Sequence, residues 1–238
     1  MNSRNSPQEE SIVYKGTGKK TRQEVTNIIR DKIVYLELKP GSIISDIELA
    51  AELEVSRTPV REALLTLQQD RLVDIYPQSG TIVSPLDLNL IQEITYIRHI
   101  LECDVLLKLC DQKVCLQERE QVERSLYLQE LAVKSSNIRE YIFNDKIFHR
   151  ELFHVAGHEQ SWDLISNMLW HTTRFHALDF YDSKDVFFTS LQEHKEMIAC
   201  IEACEKEKLK ELLTVHHDCG LRTSSSLVSK YASYFRNS

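Results

Sequence analysis

The 238-residue sequence predicts a mainly α protein in two parts: a small N-terminal unit containing a β-hairpin, then a larger all-α helical bundle. Three observations carry that reading. Glycine (6) and proline (5) are scarce, which disfavours a turn-rich β fold and favours long helices. No proline follows Pro85, and the apolar residues beyond it recur in steps of three and four. Before Pro85, short helical stretches are punctuated by Lys39-Pro40-Gly41 and by Pro77-Gln78-Ser79-Gly80, the latter between two β-prone runs.

Composition narrows the class. With 42% hydrophobic and 27% charged residues, the chain reads as a globular protein. Its longest apolar run is Met197 to Ile201, far short of the ~20 residues a membrane helix needs. The residues after Met1 have no apolar core, so no signal peptide and a cytoplasmic location are expected. The six cysteines (Cys103, Cys110, Cys115, Cys200, Cys204 and Cys219) form no Cys-x-x-Cys pair and are expected to be small buried hydrophobes. The net charge of −7 divides unevenly: 11 basic and 12 acidic residues lie up to Ser84, against 18 and 24 after it. An acidic whole still permits a local basic surface for phosphates, here from Lys15, Lys19, Lys20, Arg22, Arg57 and Arg61.

The first part reads element by element. Residues 1–19 are a polar lead-in. A helix over 21–36 carries Val25, Ile28, Ile29 and Ile33 on one side, and Lys39-Pro40-Gly41 stops the chain from continuing it. A short strand at Ser42-Ile43-Ile44 follows. Ser45 and Glu48 have capping-box spacing and open a second helix with Leu49, Ala50 and Leu53 as its packing face. Ser56 or Thr58 caps a third, Pro59 is tolerated in its first turn, and Leu64, Leu65 and Leu67 are expected to face inward. Strands over 72–76 and 81–84 complete a hairpin whose Gly80 takes a left-handed turn position. Helix, helix, tight turn, helix, hairpin is the order of a winged helix-turn-helix, which places one helix in the DNA major groove.

The string Ser56-Arg57-Thr58-Pro59-Val60-Arg61-Glu62-Ala63-Leu64, set within 21–84, resembles the DNA-binding domain of the GntR family of bacterial repressors. The resemblance implies that Arg57 and Arg61 address operator bases, that Ser56 and Thr58 contact phosphates, and that Gly80 lies in a wing tip entering the minor groove. Physical chemistry agrees, since a helix N-terminus favours phosphate and Arg can hold guanine O6 and N7 with two bonds. Ile47 departs from the pattern, standing where family members often carry Arg. The simpler alternative is surface ion pairing of Arg57 with Glu54 or of Arg61 with Glu62, worth only ~0–1 kcal/mol.

The expected division is a DNA-binding domain over 20–84, a linker over 85–88, a bundle over 89–230 and a tail over 231–238. Six bundle helices are expected at about 87–112, 115–135, 137–157, 159–182, 185–204 and 206–230. Polar residues interrupt three of their apolar stripes. One stripe runs Ile138, Ile142, Asp145, His149, Leu152; another Phe187, Leu191, His194, Ile198, Ile201; a third Leu209, Leu212, His216, then Cys219 or Gly220. A lone His on an apolar face is usually a satisfied core residue. Asp145, His149, His194 and His216 together could supply four ligands to a divalent ion, and the mixed nitrogen and oxygen set suits zinc, with nickel, cobalt or manganese accepting the same donors. Arg98 likewise interrupts Ile91, Ile94, Leu101 and Val105, either as a buried pair with Glu102 or as a bidentate clamp for a carboxylate.

Residues 87–222 resemble the FCD effector-binding domain of the FadR-type subgroup of GntR regulators. The family pattern of Asp-x-x-x-His, then Glu-His, then a later His is matched by Asp145 and His149, Glu193-His194, and His216. The resemblance implies that Asp145, His149, His194 and His216 ligate the metal, with His217 the poorer choice. It also implies a small organic acid effector held by the metal and Arg98, while His171, Arg174 and His176 are candidates for the same cavity. The expectation is therefore a repressor that binds a palindromic double-stranded operator as a homodimer under the control of that acid. Two rivals stand beside it: a regulator for which the ion itself is the signal, and a metal-dependent enzyme, for which no general base lies beside the ligands.

Overall fold

A computed structural model describes residues 20–112, 119–222 and 224–236, the side chains of 112 and 219–222 excepted. The lead-in, Cys115 and the side chain of Cys219 lie outside the described residues. The first unit consists of α1 (Arg22–Val34), β1 (Ile43–Ile44), α2 (Asp46–Glu52), α3 (Arg57–Gln69), β2 (Val73–Tyr76) and β3 (Gly80–Val83). The second contains α4 (Leu88–Gln112), α5 (Glu120–Ser135), α6 (Ile138–Val155), α7 (Glu159–Ser166), α8 (Trp170–Asp182), α9 (Asp185–Ala203), α10 (Lys206–Arg222) and α11 (Ser224–Lys230).

Local chemistry sets the N-terminal unit. Thr21 caps α1 with a full capping box: its hydroxyl accepts from the Glu24 backbone while Glu24 accepts from the Thr21 backbone. Ser45 accepts from the Glu48 backbone at 3.2 Å, which is half of the box its spacing predicts. Ser56 takes the N-cap backbone geometry of α3, but its side chain makes no cap hydrogen bond. The sheet is antiparallel in the order β1-β3-β2, with Tyr76 opposite Gly80 across the hairpin, where Gly80 has φ +106°. Val25, Ile29, Ile33, Val60, Leu64 and Leu67 fill the core beneath it. Leu65 is a correction: it is 54% exposed, because the buried positions Val60, Ala63, Leu64 and Leu67 already complete the inward stripe of α3.

The bundle differs from expectation where a single helix was expected over 159–182. α7 ends at Ser166, and contacts from Met168 to Ile165 and from Leu169 to Ser166 tighten the chain before α8 begins at Trp170. The break has a packing reason. Trp162 and Ile165 are buried in the bundle core, whereas Trp170 packs against the core of the first unit. Over 206–230 the described helices are α10 and α11, on either side of Thr223, which lies outside the described residues.

The two units are held together through α8 and the C-terminus. His171 Nε2 donates to the Asp70 carbonyl at 3.0 Å, and Arg174 Nη2 donates to the Ser84 carbonyl at 2.6 Å. The segment after α11 is tied down as far as Arg236: Leu86 donates to the Tyr234 carbonyl and Arg236 to the Leu86 carbonyl, both at 2.8 Å. The four described cysteines are free thiols, and Cys204 is exposed rather than buried because it is the left-handed C-cap residue of α9.

Leu67 is fully buried between α1 and the hairpin. Leu67→Ala is expected to cost ~2–5 kcal/mol, read by chemical denaturation of the purified protein.

Candidate functional site

The outer face of α3 carries the residues expected to read DNA. Ser56, Arg57, Thr58 and Arg61 are all exposed, as is Gly80 in the hairpin. The partner of both arginines is one that spacing did not reveal. Arg57 Nη2 lies 3.0 Å and Arg61 Nε 2.7 Å from Asp46 Oδ2, at the start of α2. The Arg61 hydrogen bond, with Arg57 beside it, holds the Asp46 carboxyl below its ordinary range. One carboxylate therefore ties two guanidiniums together across the turn of the motif, and both arginine side chains stay exposed.

A second cluster forms in the bundle. α6, α9 and α10 bring the rings of His149, His194 and His216 together, one donor atom from each lying within 4.8 Å of the others. Asp145, one turn before His149, places Oδ1 3.5 Å from His194 Nε2 and 3.9 Å from His149 Nε2. Two of the outward nitrogens are anchored, those of His194 and His216. His194 Nδ1 donates to Gln129 Oε1 at 2.7 Å, and Gln129 Nε2 donates in turn to the Asn144 carbonyl at 3.2 Å, which fixes the amide and hence the imidazole tautomer. His216 Nδ1 donates to Glu193 Oε2 at 2.8 Å, and His149 Nδ1 lies 3.2 Å from Glu102 Oε2. His194 Nε2 and both ring nitrogens of His149 are buried without a hydrogen-bond partner. Burial pushes the pKa of His149 down and that of His194 well down, so both rings are neutral and offer lone pairs. Nitrogens that converge from three rings, with the outer nitrogens of His194 and His216 anchored and the rings of His149 and His194 neutral, fit a divalent cation.

Beside this cluster lies Glu102, fully buried on α4. It accepts from Arg98 Nε at 2.8 Å and from His217 Nε2 at 2.8 Å. Burial opposes its charge, but the Arg98 guanidinium above all holds its pKa well below the ordinary range. Arg98 thus adopts the buried-pair alternative, yet it also borders a cavity of about 650 Å³ with Asp145, His176 and His216, and its Nη2 is buried without an acceptor. Arg174 is a correction. It is fully buried, does not line that cavity and turns instead toward Ser84.

Comparison with known proteins decides the family. The model described as bacterial regulatory proteins, gntR family, matches residues 21–83, and the FCD domain model matches residues 93–218. The chain belongs to the GntR family and carries an FCD domain. It is similar to the transcriptional repressor RspR of Escherichia coli, with 26% identity over 82% of this chain and 84% of that one. A regulator in an unstable DNA locus of Streptomyces ambofaciens is 30% identical over 77% of this chain and 76% of its own length. Among solved structures, a GntR transcriptional regulator from Rhodococcus sp. RHA1 superposes with a TM-score of 0.72 at 24% identity, covering 86% of this chain and 98% of that one. E. coli McbR/YncC gives 0.70 at 20% identity, covering 88% and 98%. These two share the fold. No described helix is long and apolar enough to cross a membrane.

Several residues that orient this FCD cluster escaped the sequence reading. Gln129 is buried in the α5 stripe Val122, Ser125, Gln129, Ala132, a polar interruption of the kind that singled out Arg98. Glu193 precedes His194 in the motif, but only the structure pairs it with His216. His217 is more buried than His216, because Leu209, Leu213 and His217 rather than Leu209, Leu212 and His216 form the innermost line of α10. Removing Arg98 would strand the Glu102 carboxylate in the bundle. Arg98→Ala is therefore expected to lose ~3–5 kcal/mol of stability by chemical denaturation, and Arg98→Met combined with Glu102→Leu to recover most of it.

Proposed function

We propose that this GntR-family protein is a transcriptional repressor whose operator binding is set by a small organic acid held at a divalent metal in its FCD domain. The observation that carries the reading is the convergence of three imidazoles, His149, His194 and His216, in which the inner nitrogens of His149 and His194 are buried without a hydrogen-bond partner. Asp145, His149, His194 and His216 would hold the ion, zinc being the best match to the donor set. When bound, the metal supplies a Lewis-acidic position for a carboxylate oxygen. Arg98 stands on the same cavity with its Nη2 unpaired and would take the second oxygen. One relative, 30% identical over 55% of this chain and 53% of its own length, is named the gluconate operon transcriptional repressor of Bacillus subtilis, which agrees with an acid as effector.

For DNA, Arg57 and Arg61 would read bases in the major groove, Ser56 and Thr58 would bind phosphates, and Gly80 would enter the minor groove at the wing tip. A homodimer on a palindromic operator follows from the need for two half-sites. The exposed apolar residues Tyr96, Ile97 and Ile100 on α4 support such a pairing.

A metal-sensing role is the second reading, favoured by the commitment of Arg98 to Glu102. Titrating acids against operator binding at constant metal separates the two. A steep response to metal with none to any acid would establish the sensor.

Arg57→Ala or Arg61→Ala is expected to weaken specific operator binding by ~1–3 kcal/mol in fluorescence anisotropy, with thermal stability unchanged. His194→Ala should lose metal and acid response together while keeping operator binding. Gln129→Leu, which leaves the ligands intact, should weaken zinc 10–100-fold in competition with a chromogenic chelator, and an unchanged affinity would count against the site.

A further inference from the structure

The cavity beside the histidines extends beyond the bundle. Its wall continues along α6 and α8 to α1 of the DNA-binding unit, where Asn27, Arg30, Asp31 and Tyr35 line it. At about 650 Å³ it lies in the range of pockets that enclose far larger ligands than a two- or three-carbon acid.

The far end is built by both units. Arg30 on α1 donates to Asn27 Oδ1 at 2.8 Å and to Asp70 Oδ2 at 3.0 Å, and its Nε is buried without an acceptor. Trp170 opens α8 with its ring 5.4 Å from Arg30 Cζ and 4.6 Å from Lys146 Nζ, and its Nε1 is also buried without an acceptor. Buried donors of this kind are rare and call for an explanation. Asp31 and Glu140 supply acceptors on the same wall. Donors and acceptors side by side match hydroxyl groups, which do both, better than a second carboxylate, which only accepts. Along α8 the two ends are marked by Trp170 and His176, six residues or ~9 Å of helix apart.

We propose that the effector bridges the two domains: its carboxylate end lies at the histidine cluster and Arg98, and a hydroxyl-bearing tail ~9 Å away binds between Arg30 and Trp170. This rests on the reading of an acid at the metal and adds a second subsite on the DNA-binding unit itself. The ligand class is a polyhydroxy acid of about six carbons. Its tail would touch the same guanidinium that holds Asp70, the C-cap residue of α3, so occupancy would bear directly on the recognition helix. That is a contact whose strength depends on how the domains are placed, as a ligand-driven shift requires.

The test uses the zinc-loaded full chain and calorimetric titration with glycolate, glycerate and gluconate, which keep one α-hydroxycarboxylate head and lengthen the tail. Gluconate is expected to bind at least about tenfold tighter than glycolate, the worth of one or two added hydrogen bonds. Arg30→Lys keeps a cation for Asp70 but removes the Nε–H, and Trp170→Phe keeps the ring but removes the Nε1–H. Each should cost about tenfold in gluconate affinity while leaving glycolate affinity and zinc content unchanged. Equal affinity for glycolate and gluconate, or a length gain that survives both variants, would overturn the bridge and leave the acid at the metal standing. Zinc-dependent binding by none of the three acids would remove both.

Discussion

Three imidazoles taken out of water in the middle of a helical bundle impose the constraint on which the second domain is built. A buried polar group costs several kcal/mol unless its hydrogen-bonding capacity is met. This bundle meets part of that capacity with dedicated partners, Gln129 for His194 and Glu193 for His216, and sets Glu102 3.2 Å from His149. Those partners then need support of their own. Gln129 is held by the Asn144 carbonyl, and Glu102 by Arg98 and His217. The polar network therefore reaches across α4, α5, α6, α9 and α10, and it dictates which faces of those helices meet. An apolar core of equal volume would be cheaper, so the arrangement makes sense as preorganisation of the inner nitrogens.

The same economy of shared elements joins the site to the DNA-binding unit. α8 meets the cavity through Trp170, Thr172 and His176, and the first domain through Trp170, His171 and Arg174. Two of its contacts are donations to backbone carbonyls, at the C-cap of α3 and just after β3. Such bonds fix position without requiring a particular partner side chain. A shift of α8 by a fraction of a helical turn would carry the end of the recognition helix and the base of the hairpin with it. The parallel bridge between Leu86 and Phe235 closes the opposite side of the connection, so the short segment between β3 and α4 is held from two directions.

The reading face of α3 follows a different logic. Its arginines are exposed and paired to Asp46, and exposed pairs of this kind contribute little to stability. On the proposed base-reading role, two long side chains held by one carboxylate would lose less freedom on meeting DNA than two unrestrained ones.

Much of this was legible in the chain itself. Periodicity, capping residues and the Pro and Gly breaks predict the helix-turn-helix, the hairpin and a helical bundle, because those signals act within a few residues of one another. Polar interruptions of apolar stripes single out Asp145, His149, His194, His216 and Arg98 for the same reason, since one helix suffices to define a face. Relations between helices were not legible. Asp46 as the partner of Arg57 and Arg61, Gln129 behind His194, the turning of Arg174 to Ser84 rather than to the cavity, and the break that sends Trp170 toward α1 all depend on how separate helices are rotated and docked. Sequence spacing determines which residues share a face of one helix, but the face that opposes it is chosen by packing across the whole core, and that is decided only in three dimensions.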